Sequence, residues 1–539
     1  MRKKSFHRLK VVRIVLTFVF FTPLLLLFID FADFLPNSLS KILHIQLIPA
    51  IIGGFVPLFV LHLLLTLFFG RIYCSTICPA GILQDFLNRL ACIGKKKKRG
   101  AMRFRYRKPA NGMRYTILGM TLLSVVFGFM EICLLLDPYS TFGRIATHLF
   151  RPIVIGINNL FSGILSSRGN YSLYYVSIDF SIVSFVTAII ALLVFIIMVY
   201  FRGRLYCNTI CPVGSLLSII SRFSLRRITI DNNACNGCES CERSCKAEAI
   251  QSKNRLIDMS KCVTCFNCLS SCNKQAIKYS YHSIRSQRKK DALPLDTVTE
   301  ITKQVTDGRN FSTNSRRSFL TASATLGSAI PLLASAVSPT HRKRFRFRYF
   351  LDTSNRIPVT PPGSFGIERF KNHCTGCHLC VVHCPSRVLK PAGLDYGWNY
   401  ILKPFMSFDK SYCNYSCTVC SEVCPTHAIH PISVEQKKVT QVGIAKFHIN
   451  KCIVKTNETD CGACSEHCST QAVHMVPYKG TLTIPQIEEE LCIGCGGCES
   501  ICPVQPKRAI VVEANGVHQM AELPPAEDKR KIDTIDFGF

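Results

Sequence analysis

Cysteine spacing is the feature of this sequence that points most directly to chemistry. The 539 residues include 30 cysteines, most of them in short runs with two or three residues between neighbours. Thiols this close do not all pair in relaxed disulfide geometry, whereas four thiolates are the usual ligands of a four-iron, four-sulfur core. The spacing therefore favours [4Fe–4S] clusters over disulfides or zinc.

Two of these motifs lie in the middle of the chain. They are Cys235, Cys238, Cys241, Cys245 and Cys262, Cys265, Cys268, Cys272. In two-cluster ferredoxins the fourth cysteine of each motif ligates the cluster of the other motif. We therefore expect Cys272 to complete the site of the first motif and Cys245 to complete that of the second. Lys246 and Asn273 replace the proline that usually follows the fourth cysteine, which leaves ligation intact.

Four further motifs lie near the end of the chain. They are Cys374, Cys377, Cys380, Cys384; Cys413, Cys417, Cys420, Cys424; Cys452, Cys461, Cys464, Cys468; and Cys492, Cys495, Cys498, Cys502. The second and third have a longer first gap, which only requires a larger loop. The spacing leaves open which of these motifs exchange ligands. Together with the central pair they predict about six [4Fe–4S] clusters, and clusters in series serve one-electron relay.

A different cysteine pattern is repeated in the apolar first part of the chain. Residues 70–81 read GRIYCSTICPAG and residues 203–214 read GRLYCNTICPVG, which indicates a duplication. The repeat supplies four thiols, those of Cys74, Cys78, Cys207 and Cys211. Three functions stay open for them: one shared metal site, a redox-active thiol group, or transient metal ligands. Ordinary packing is the alternative to all three.

Apolar residues are concentrated in the first ~200 positions of the chain, where they predict transmembrane helices. We expect four spans, over residues 14–29, 46–69, 116–136 and 180–201. Basic residues are dense in the loop after the second span and sparse in residues 137–179. This bias places both ends of the four-helix unit on the cytoplasmic side.

Several ionisable or polar residues near the predicted spans are candidates for function, because burying them in lipid is costly. The candidates for a quinol site are His62, Glu131, Asp137, Tyr139, Arg144 and His148. The first two fall inside predicted spans, where a hydrogen bond between helices is the alternative. The other four cluster at the outer interface and suit a quinol head group, since quinol oxidation releases protons and needs an acid–base group. A helix-ending turn is the alternative for that cluster.

Changes in composition divide the chain into regions. A membrane domain over 1–226 precedes a two-cluster ferredoxin domain over 227–282, a linker with a signal-like helix over 283–340, a four-cluster domain over 341–515 and a tail over 516–539. Arg316 and Arg317 begin a twin-arginine-like export signal that ends in small residues at Ala336; a soluble helix is the alternative. The predicted fold is an α-helical membrane domain, with four spans and a fifth signal-like helix, joined to α+β ferredoxin-like domains.

The formal net charge of +31 raises the question of a nucleic-acid partner. Six oxidised clusters with their thiolates would offset about 12 of these charges. Much of the remaining Lys and Arg lies in loops beside apolar runs, where it sets membrane topology. The sequence shows no basic motif interleaved with aromatic residues of the kind that reads RNA or DNA. We therefore expect no nucleic-acid partner.

The chain resembles a known family at the motifs described above. Residues 1–280 are similar to NapH, the polyferredoxin membrane subunit of the periplasmic nitrate reductase system. The similarity lies in the helices, the two CxxxCP repeats, residues 137–144 and the central cysteine motifs. The segment from Ser315 onward resembles the partner subunit NapG, an exported protein with four clusters. The chain therefore looks like a fusion of the two.

The resemblance implies an oxidoreductase component of quinol dehydrogenase type in the bacterial inner membrane. In such a protein, electrons pass from the quinone pool, as menaquinol or ubiquinol, to a periplasmic reductase or cytochrome, and the C-terminal domain is periplasmic. Relatives also serve nitrous oxide reduction and oxidase copper maturation, so the acceptor stays open. The main alternative is a maturation or metal-handling factor for a respiratory metalloenzyme, acting through the CxxxCP cysteines.

Overall fold

Long apolar runs make the first part of the chain helical, because a helix satisfies its backbone hydrogen bonds within itself. The computed structural model describes residues 2–32, 34–93, 104–178, 181–281 and 357–523. The helices of the first part are α1 (Arg2–Ile29), α2 (Leu47–Ile52), α3 (Val56–Phe69), α4 (Tyr73–Thr76), α5 (Pro79–Ile93), α6 (Asn111–Val126), α7 (Met130–Leu136), α8 (Pro138–Ile145), α9 (Arg151–Ser166), α10 (Ile182–Arg202), α11 (Leu205–Thr209) and α12 (Pro212–Ser221). A 3₁₀ segment, Asn37–Ile45, links α1 to α2, and a π-helical turn, Ala146–Phe150, joins α8 to α9.

Three helical stretches among the described residues are long and apolar enough to cross a membrane. They are Arg8–Ile29, Pro138–Ser166 and Ile182–Arg202. The first and third correspond to the predicted spans over residues 14–29 and 180–201. These helices are consistent with membrane association of the first part of the chain.

The two other predicted spans are interrupted, so the expectation of four continuous spans is corrected. Residues 46–69 form α2 and α3, which are separated at Gly54. The φ of Gly54 is +76°, a left-handed conformation that ends a helix. Residues 116–136 are divided in the same way at Gly128, between α6 and α7. Residues 137–179, expected as an outer loop, instead contain the second of the three long stretches.

The central cysteine motifs lie between two paired strands. Strand β1 (Arg226–Ile230) pairs antiparallel with β4 (Ile277–Tyr281), with Ile228 opposite Tyr279. Between them lie α13 (Ser240–Arg243), the short pair β2 (Ile250–Gln251) and β3 (Leu256–Ile257), and α14 (Asn267–Ser271). We call this part the central region. Its short helices and strands hold the cysteine loops in an α+β arrangement.

The four later motifs belong to a second small α+β part, the C-terminal region. Its helices are α15 (Ile367–His373), α16 (Leu379–Val382), α17 (Val419–Glu422), α18 (Val434–Val439), α19 (Ile453–Thr456), α20 (Ala463–Glu466) and α21 (Gly497–Ile501). Its strands form antiparallel pairs, β5 (Leu389–Pro391) with β6 (Pro404–Met406), β7 (Thr440–Phe447) with β10 (Ile510–Met520), and β8 (Val473–Lys479) with β9 (Leu482–Ile487). As in the central region, cysteine loops connect short helices to strands.

The two cysteine-rich regions contact opposite ends of helix α1. Near its start, Lys10 Nζ donates to Ser270 Oγ of the central region at 3.4 Å. Near its end, Leu27 O accepts a hydrogen bond from His383 Nε2 of the C-terminal region at 3.0 Å. The helix rises about 25 Å between Lys10 and Leu27. This length approaches the thickness of the hydrocarbon core of a bilayer, about 30 Å.

Helix α6 makes the same connection. Arg114 Nη2, near its start, donates to Ser260 O of the central region at 3.1 Å. Gly128, just beyond its end, lies beside Asn372 of the C-terminal region. Two helices therefore run between the cysteine-rich regions and contact both of them. Residues 283–340, including the twin-arginine-like segment and Ala336, lie outside the described residues, and the predictions made for them stay predictions.

Candidate iron–sulfur sites and the cysteines between them

The central region brings four cysteines together around a cavity of about 200 Å³. Cys235, Cys238, Cys241 and Cys272 line it. Burial raises the pKa of the Cys241 thiol to about 11, and the sulfurs of Cys272 and Cys235 act in the same direction. Ala276 N–H donates to Cys272 Sγ at 3.3 Å, a contact that stabilises a thiolate. The cavity and its donors fit a cluster with four cysteine ligands.

The other four cysteines of the central region form a more deeply buried set. Cys262, Cys265, Cys268 and Cys245 are all buried. Burial raises the pKa of Cys262 to about 12, and the sulfur of Cys245 acts in the same direction. Ala249 N–H donates to Cys245 Sγ at 3.4 Å. Each set thus takes its fourth cysteine from the other motif, which is the exchange found in two-cluster ferredoxins.

The C-terminal region forms four sets, again by exchange of the fourth cysteine. The sets are Cys374, Cys377, Cys380 with Cys424; Cys413, Cys417, Cys420 with Cys384; Cys452, Cys461, Cys464 with Cys502; and Cys492, Cys495, Cys498 with Cys468. Burial raises the pKa of Cys374 to about 12, and the sulfur of Cys424 acts in the same direction. The first motif therefore exchanges with the second, and the third with the fourth. Each set is named below by its first cysteine.

The sets of the C-terminal region follow one another in a row. Exchange links the Cys374 set to the Cys413 set, and the Cys492 set to the Cys452 set. Cys413 N–H donates to Cys495 O at 2.9 Å, which joins the two halves of the row. At one end, Gly143 of α8 is so near that an added Cβ would lie 2.7 Å from Cys377 O. The Cys374 set therefore lies next to the membrane helices, and the Cys452 set ends the row.

The four cysteines of the repeated CxxxCP motif are buried within the helical part. Cys74, Cys78, Cys207 and Cys211 are each 3 % exposed. Cys74 lies on α4 and Cys207 on α11, while Cys78 immediately precedes α5 and Cys211 caps α12. All four belong to one buried cluster of side chains. The two repeats therefore bring their thiols into the same part of the core.

A buried carboxylate ties the repeats to α1 and to the central region. Asp85 on α5 lies 2.7 Å from Arg13 and 2.7 Å from Arg204, and it also contacts Lys246. Burial alone would raise the pKa of Asp85, but the three cations hold it well below its usual range. Lys246 directly follows the ligand Cys245. The residue that stands in place of the usual proline thus anchors the Cys262 set against the helices.

Four of the residues predicted to bind quinol lie close together. Asp137 caps α8 and accepts two backbone N–H bonds from its first turn, at 3.2 and 2.9 Å. Tyr139 and Arg144 are buried on the same helix, and Arg144 Nη1 has no hydrogen-bond partner among the described residues. His148 Nε2 lies 2.7 Å from His378 Nδ1. We call these four residues the Asp137 group; they lie against the loop that carries the Cys374 set.

Glu131 and His62, also predicted as quinol ligands, have other contacts. Glu131 Oε1 lies 3.0 Å from Lys403 Nζ of the C-terminal region. This ion pair explains why the carboxylate of Glu131 can be buried. His62 Nδ1 donates to Leu58 O at 2.6 Å, and its ring lies 5.0 Å from the ring of Tyr73. The contacts of His62 thus connect it to the first CxxxCP repeat.

Several residues at these contacts were not singled out from the sequence. His378 and His383 lie inside the first C-terminal cysteine motif, and the spacing of the cysteines predicts no role for the residues between them. Arg71 and Arg204 precede the first cysteine of each repeat by three residues, a regularity that was available in the sequence. Lys403 stands in a loop with no motif, so only the folded chain identifies its partner.

Known families match several of the cysteine-containing segments. A family described as a 4Fe-4S binding domain matches residues 53–100 and 183–231. Families described as 4Fe-4S dicluster domains match residues 227–273 and 459–505. The predicted [4Fe–4S] ferredoxin domains are confirmed by these matches. This protein is an iron–sulfur electron-transfer protein of ferredoxin type.

Curated relatives are also of ferredoxin type. "Ferredoxin-type protein NapF" of Escherichia coli K12 is 26% identical over 157 residues, which are 29% of this chain and 87% of that protein. "Methylamine utilization ferredoxin-type protein MauN" of Paracoccus denitrificans is 28% identical over 202 residues, 36% of this chain and 54% of that protein. MauM of Methylobacillus flagellatus is 28% identical over 156 residues, 27% of this chain and 63% of that protein. No solved structure matches the chain.

The comparisons leave the finer resemblance as a prediction. The similarity to NapF, MauN and MauM supports ferredoxin-type iron–sulfur domains, and the more specific interpretation as a NapH–NapG fusion stays a prediction. The number of clusters, about six, also stays a prediction. When bound, each cluster would supply one-electron oxidation and reduction. What the chain itself contributes is the position of the thiolates and their hydrogen-bond donors.

Proposed function

We propose that this protein links iron–sulfur sites on the two sides of a membrane and passes electrons from quinol to a periplasmic acceptor. The contacts of α1 carry the proposal. Its start contacts the central region at Ser270, and its end contacts the C-terminal region at His383. The intervening helix is about as long as a bilayer core is thick. An electron carrier with thiolate sets at both ends of such a layer is suited to moving electrons through it.

Basic residues support one orientation of the protein. Residues 95–99 are all Lys or Arg and directly follow α5, whose Asp85 contacts the central region through Lys246. Basic loops favour the cytoplasmic side of a membrane. This bias supports a cytoplasmic central region and, at the other end of α1, a periplasmic C-terminal region in a bacterial inner membrane.

The Asp137 group supports quinol as the donor. A quinol that loses two electrons also releases two protons, so its site needs an acid–base group beside an electron acceptor. Asp137 and His148 supply such groups, and Arg144 Nη1 offers an unused donor to a quinone oxygen. The contact between His148 and His378 puts this group next to the Cys374 set, whose cluster would take the electrons singly.

Menaquinol titration of the purified full-length protein tests the donor. We expect menaquinol to bleach the visible absorption of the clusters. Arg144→Ala is expected to slow this bleaching by about tenfold, the effect of losing one charge-assisted hydrogen bond. Arg168→Ala is the matched control, because Arg168 is exposed just beyond the same helical stretch. Clusters that dithionite reduces but menaquinol does not would overturn the quinol assignment.

Limited proteolysis of sealed vesicles tests the orientation. In vesicles with the periplasmic side outward, we expect an added protease to cleave within residues 357–523 and to spare residues 227–281. As a control, detergent opens the vesicles and exposes both regions, so that cleavage of residues 227–281 shows that the protease can cut them. Cleavage of both regions in intact vesicles would overturn the crossing, since it would put them on the same side.

A further inference from the structure

The two CxxxCP repeats make reciprocal contacts. Arg71 of the first repeat donates to Cys207 O of the second at 3.0 Å. Arg204 of the second repeat donates to Cys74 O of the first at 2.7 Å. Because each arginine holds the cysteine turn of the other repeat, an approximate twofold relation links the repeats and their cysteines.

Glycines at equivalent positions make each repeat compact. A Cβ added to Gly81 would lie 2.3 Å from Cys74 O, and one added to Gly214 would lie 2.1 Å from Cys207 O. Both distances are far shorter than a van der Waals contact. Only glycine therefore allows α5 and α12 to start directly against the turn that carries the first cysteine of the same motif.

The four cysteines lie in one buried cluster, and hydrogen-bond donors reach some of their sulfurs. Gln84 Nε2 donates to Cys207 Sγ at 3.3 Å, and Gly214 N–H donates to Cys211 Sγ at 3.3 Å. Arg71 Nη2 lies 3.9 Å from Cys74 Sγ and 3.0 Å from Cys207 O, so one side chain contacts cysteines of both repeats. Hydrogen bonds to sulfur at this depth suit thiolates that are ligands.

We propose that Cys74, Cys78, Cys207 and Cys211 together hold one iron–sulfur cluster, shared between the two repeats. Four thiolates are the usual ligands of such clusters, and each repeat supplies only two. The family described as a 4Fe-4S binding domain matches both repeats. The two reciprocal arginines offset the negative charge that four thiolates and a cluster leave in a buried site.

A single metal ion or a disulfide fits this group less well. Among the described residues, no group of three Cys, His, Asp or Glu side chains is close enough to hold a single ion. A cluster tolerates wider spacing because iron and sulfide lie between its thiolates. The four cysteines are also free rather than paired in disulfides.

The proposed site lies between the Cys262 set and the Cys374 set. On one side, Arg71 Nη1 donates to Ser260 O at 3.0 Å, two residues before Cys262. On the other side, Tyr206 Oη donates to Leu136 O at 2.8 Å, next to Asp137. A cluster here would divide the crossing of the helical layer into two shorter electron steps. Its role as a relay rests on the proposed function, whereas its existence does not.

Iron and sulfide analysis of the full-length protein tests the site. We expect the Cys74→Ser/Cys207→Ser double variant to lose one cluster, about two to four iron atoms per chain, and to keep the electron paramagnetic resonance signals of the others. Cys133→Ser is the matched control, because Cys133 is buried and belongs to no motif. The control is expected to keep all of its iron. An unchanged iron count and spectrum in the double variant would overturn the proposal.

A milder variant tests the same site if the double variant does not fold. Gln84→Leu removes the donor to Cys207 Sγ without removing a ligand, so we expect the signal of one centre to shift at constant iron content. Unshifted signals in Gln84→Leu would overturn the proposal. Reduction with dithionite separates this test from that of quinol oxidation. A dithionite-reducible centre missing only from the double variant supports the site, even in a protein that menaquinol leaves oxidised.

Discussion

Lys403 Nζ lies 3.0 Å from Glu131 Oε1, and this ion pair joins the C-terminal region to the start of α7. The lysine side chain is 1% exposed and the glutamate side chain 10%. Because both charges are largely out of water, removal of one leaves the other unpaired in a buried position. The contact therefore gives Glu131 a docking role, and the quinol role predicted for it stays a prediction.

Glu131→Ala is expected to weaken this docking by about 3–5 kcal/mol, the usual effect of breaking a buried pair. The measurement is the rate at which a protease cleaves the C-terminal region of the purified protein. Glu458→Ala serves as the control, since Glu458 pairs with Lys479 on the surface. Surface pairs contribute little. Equal cleavage rates in the two variants would argue against docking through Glu131.

Asp85 gives stability a dependence on pH. The folded-state pKa of Asp85 is depressed by its three cations, so its contribution is present above the pKa of an unfolded carboxyl group and is lost as the pH falls. We expect the wild-type protein to lose thermal stability below about pH 4. The Asp85→Asn variant should be less stable than the wild type at neutral pH. Its thermal stability should also change less as the pH falls.

Thermal unfolding at a series of pH values measures this difference. Asp231→Asn is the control, because Asp231 pairs with Lys278 at the surface of the central region. Its substitution should change the pH profile only slightly, since solvent screens exposed pairs. Parallel profiles of the wild type and Asp85→Asn would show that the buried carboxylate is not the origin of the acid sensitivity.

Gly81 and Gly214 should resist substitution by any larger residue. An added methyl group would meet a backbone carbonyl in each case, so we expect Gly81→Ala or Gly214→Ala to destabilise the protein by about 2 kcal/mol or more. Gly119→Ala in α6 is the control, because its added methyl group meets only open space. That change should be neutral or stabilise by up to about 1 kcal/mol. Similar melting temperatures for all three variants would contradict the close approach.

The exchange of ligands in the C-terminal region predicts unequal effects of two similar substitutions. Cys424→Ser removes a ligand from the Cys374 set, which lies beside the Asp137 group. Cys384→Ser removes one from the Cys413 set, further along the row. We expect that menaquinol no longer reduces the clusters of the C-terminal region in Cys424→Ser. In Cys384→Ser, the cluster of the Cys374 set should still accept a first electron from menaquinol. Stopped-flow absorbance measures both, and the opposite order would show that the exchange is misassigned.

The thiolate sets were largely readable from sequence, because three ligands of each come from one short loop. Cys262, Cys265 and Cys268 are an example: their spacing alone predicts that they converge. The fourth ligand was predictable only in the central region, where two motifs leave one exchange. Among the four later motifs, pairing such as that of Cys424 with the Cys374 set depends on how the loops pack.

The helices were predictable where hydropathy and backbone geometry agree. The span predicted over residues 180–201 corresponds to one long helix, Ile182–Arg202, as its composition predicts. The run of residues 46–69 is broken at Gly54, because an average of side-chain hydropathy does not register a left-handed backbone angle. Docking contacts such as that of Lys403 with Glu131 join residues far apart in the chain. No local pattern encodes them.

Helix α1 has fixed partners near both ends, Asp85 at Arg13 and His383 at Leu27. Insertion or deletion of one residue between them would turn one end relative to the other by about 100°, and one of the two contacts would be lost. Outward side chains such as Phe18 and Val19 have no such constraint. Natural variants of this helix should therefore differ freely in apolar composition while keeping the number of residues constant.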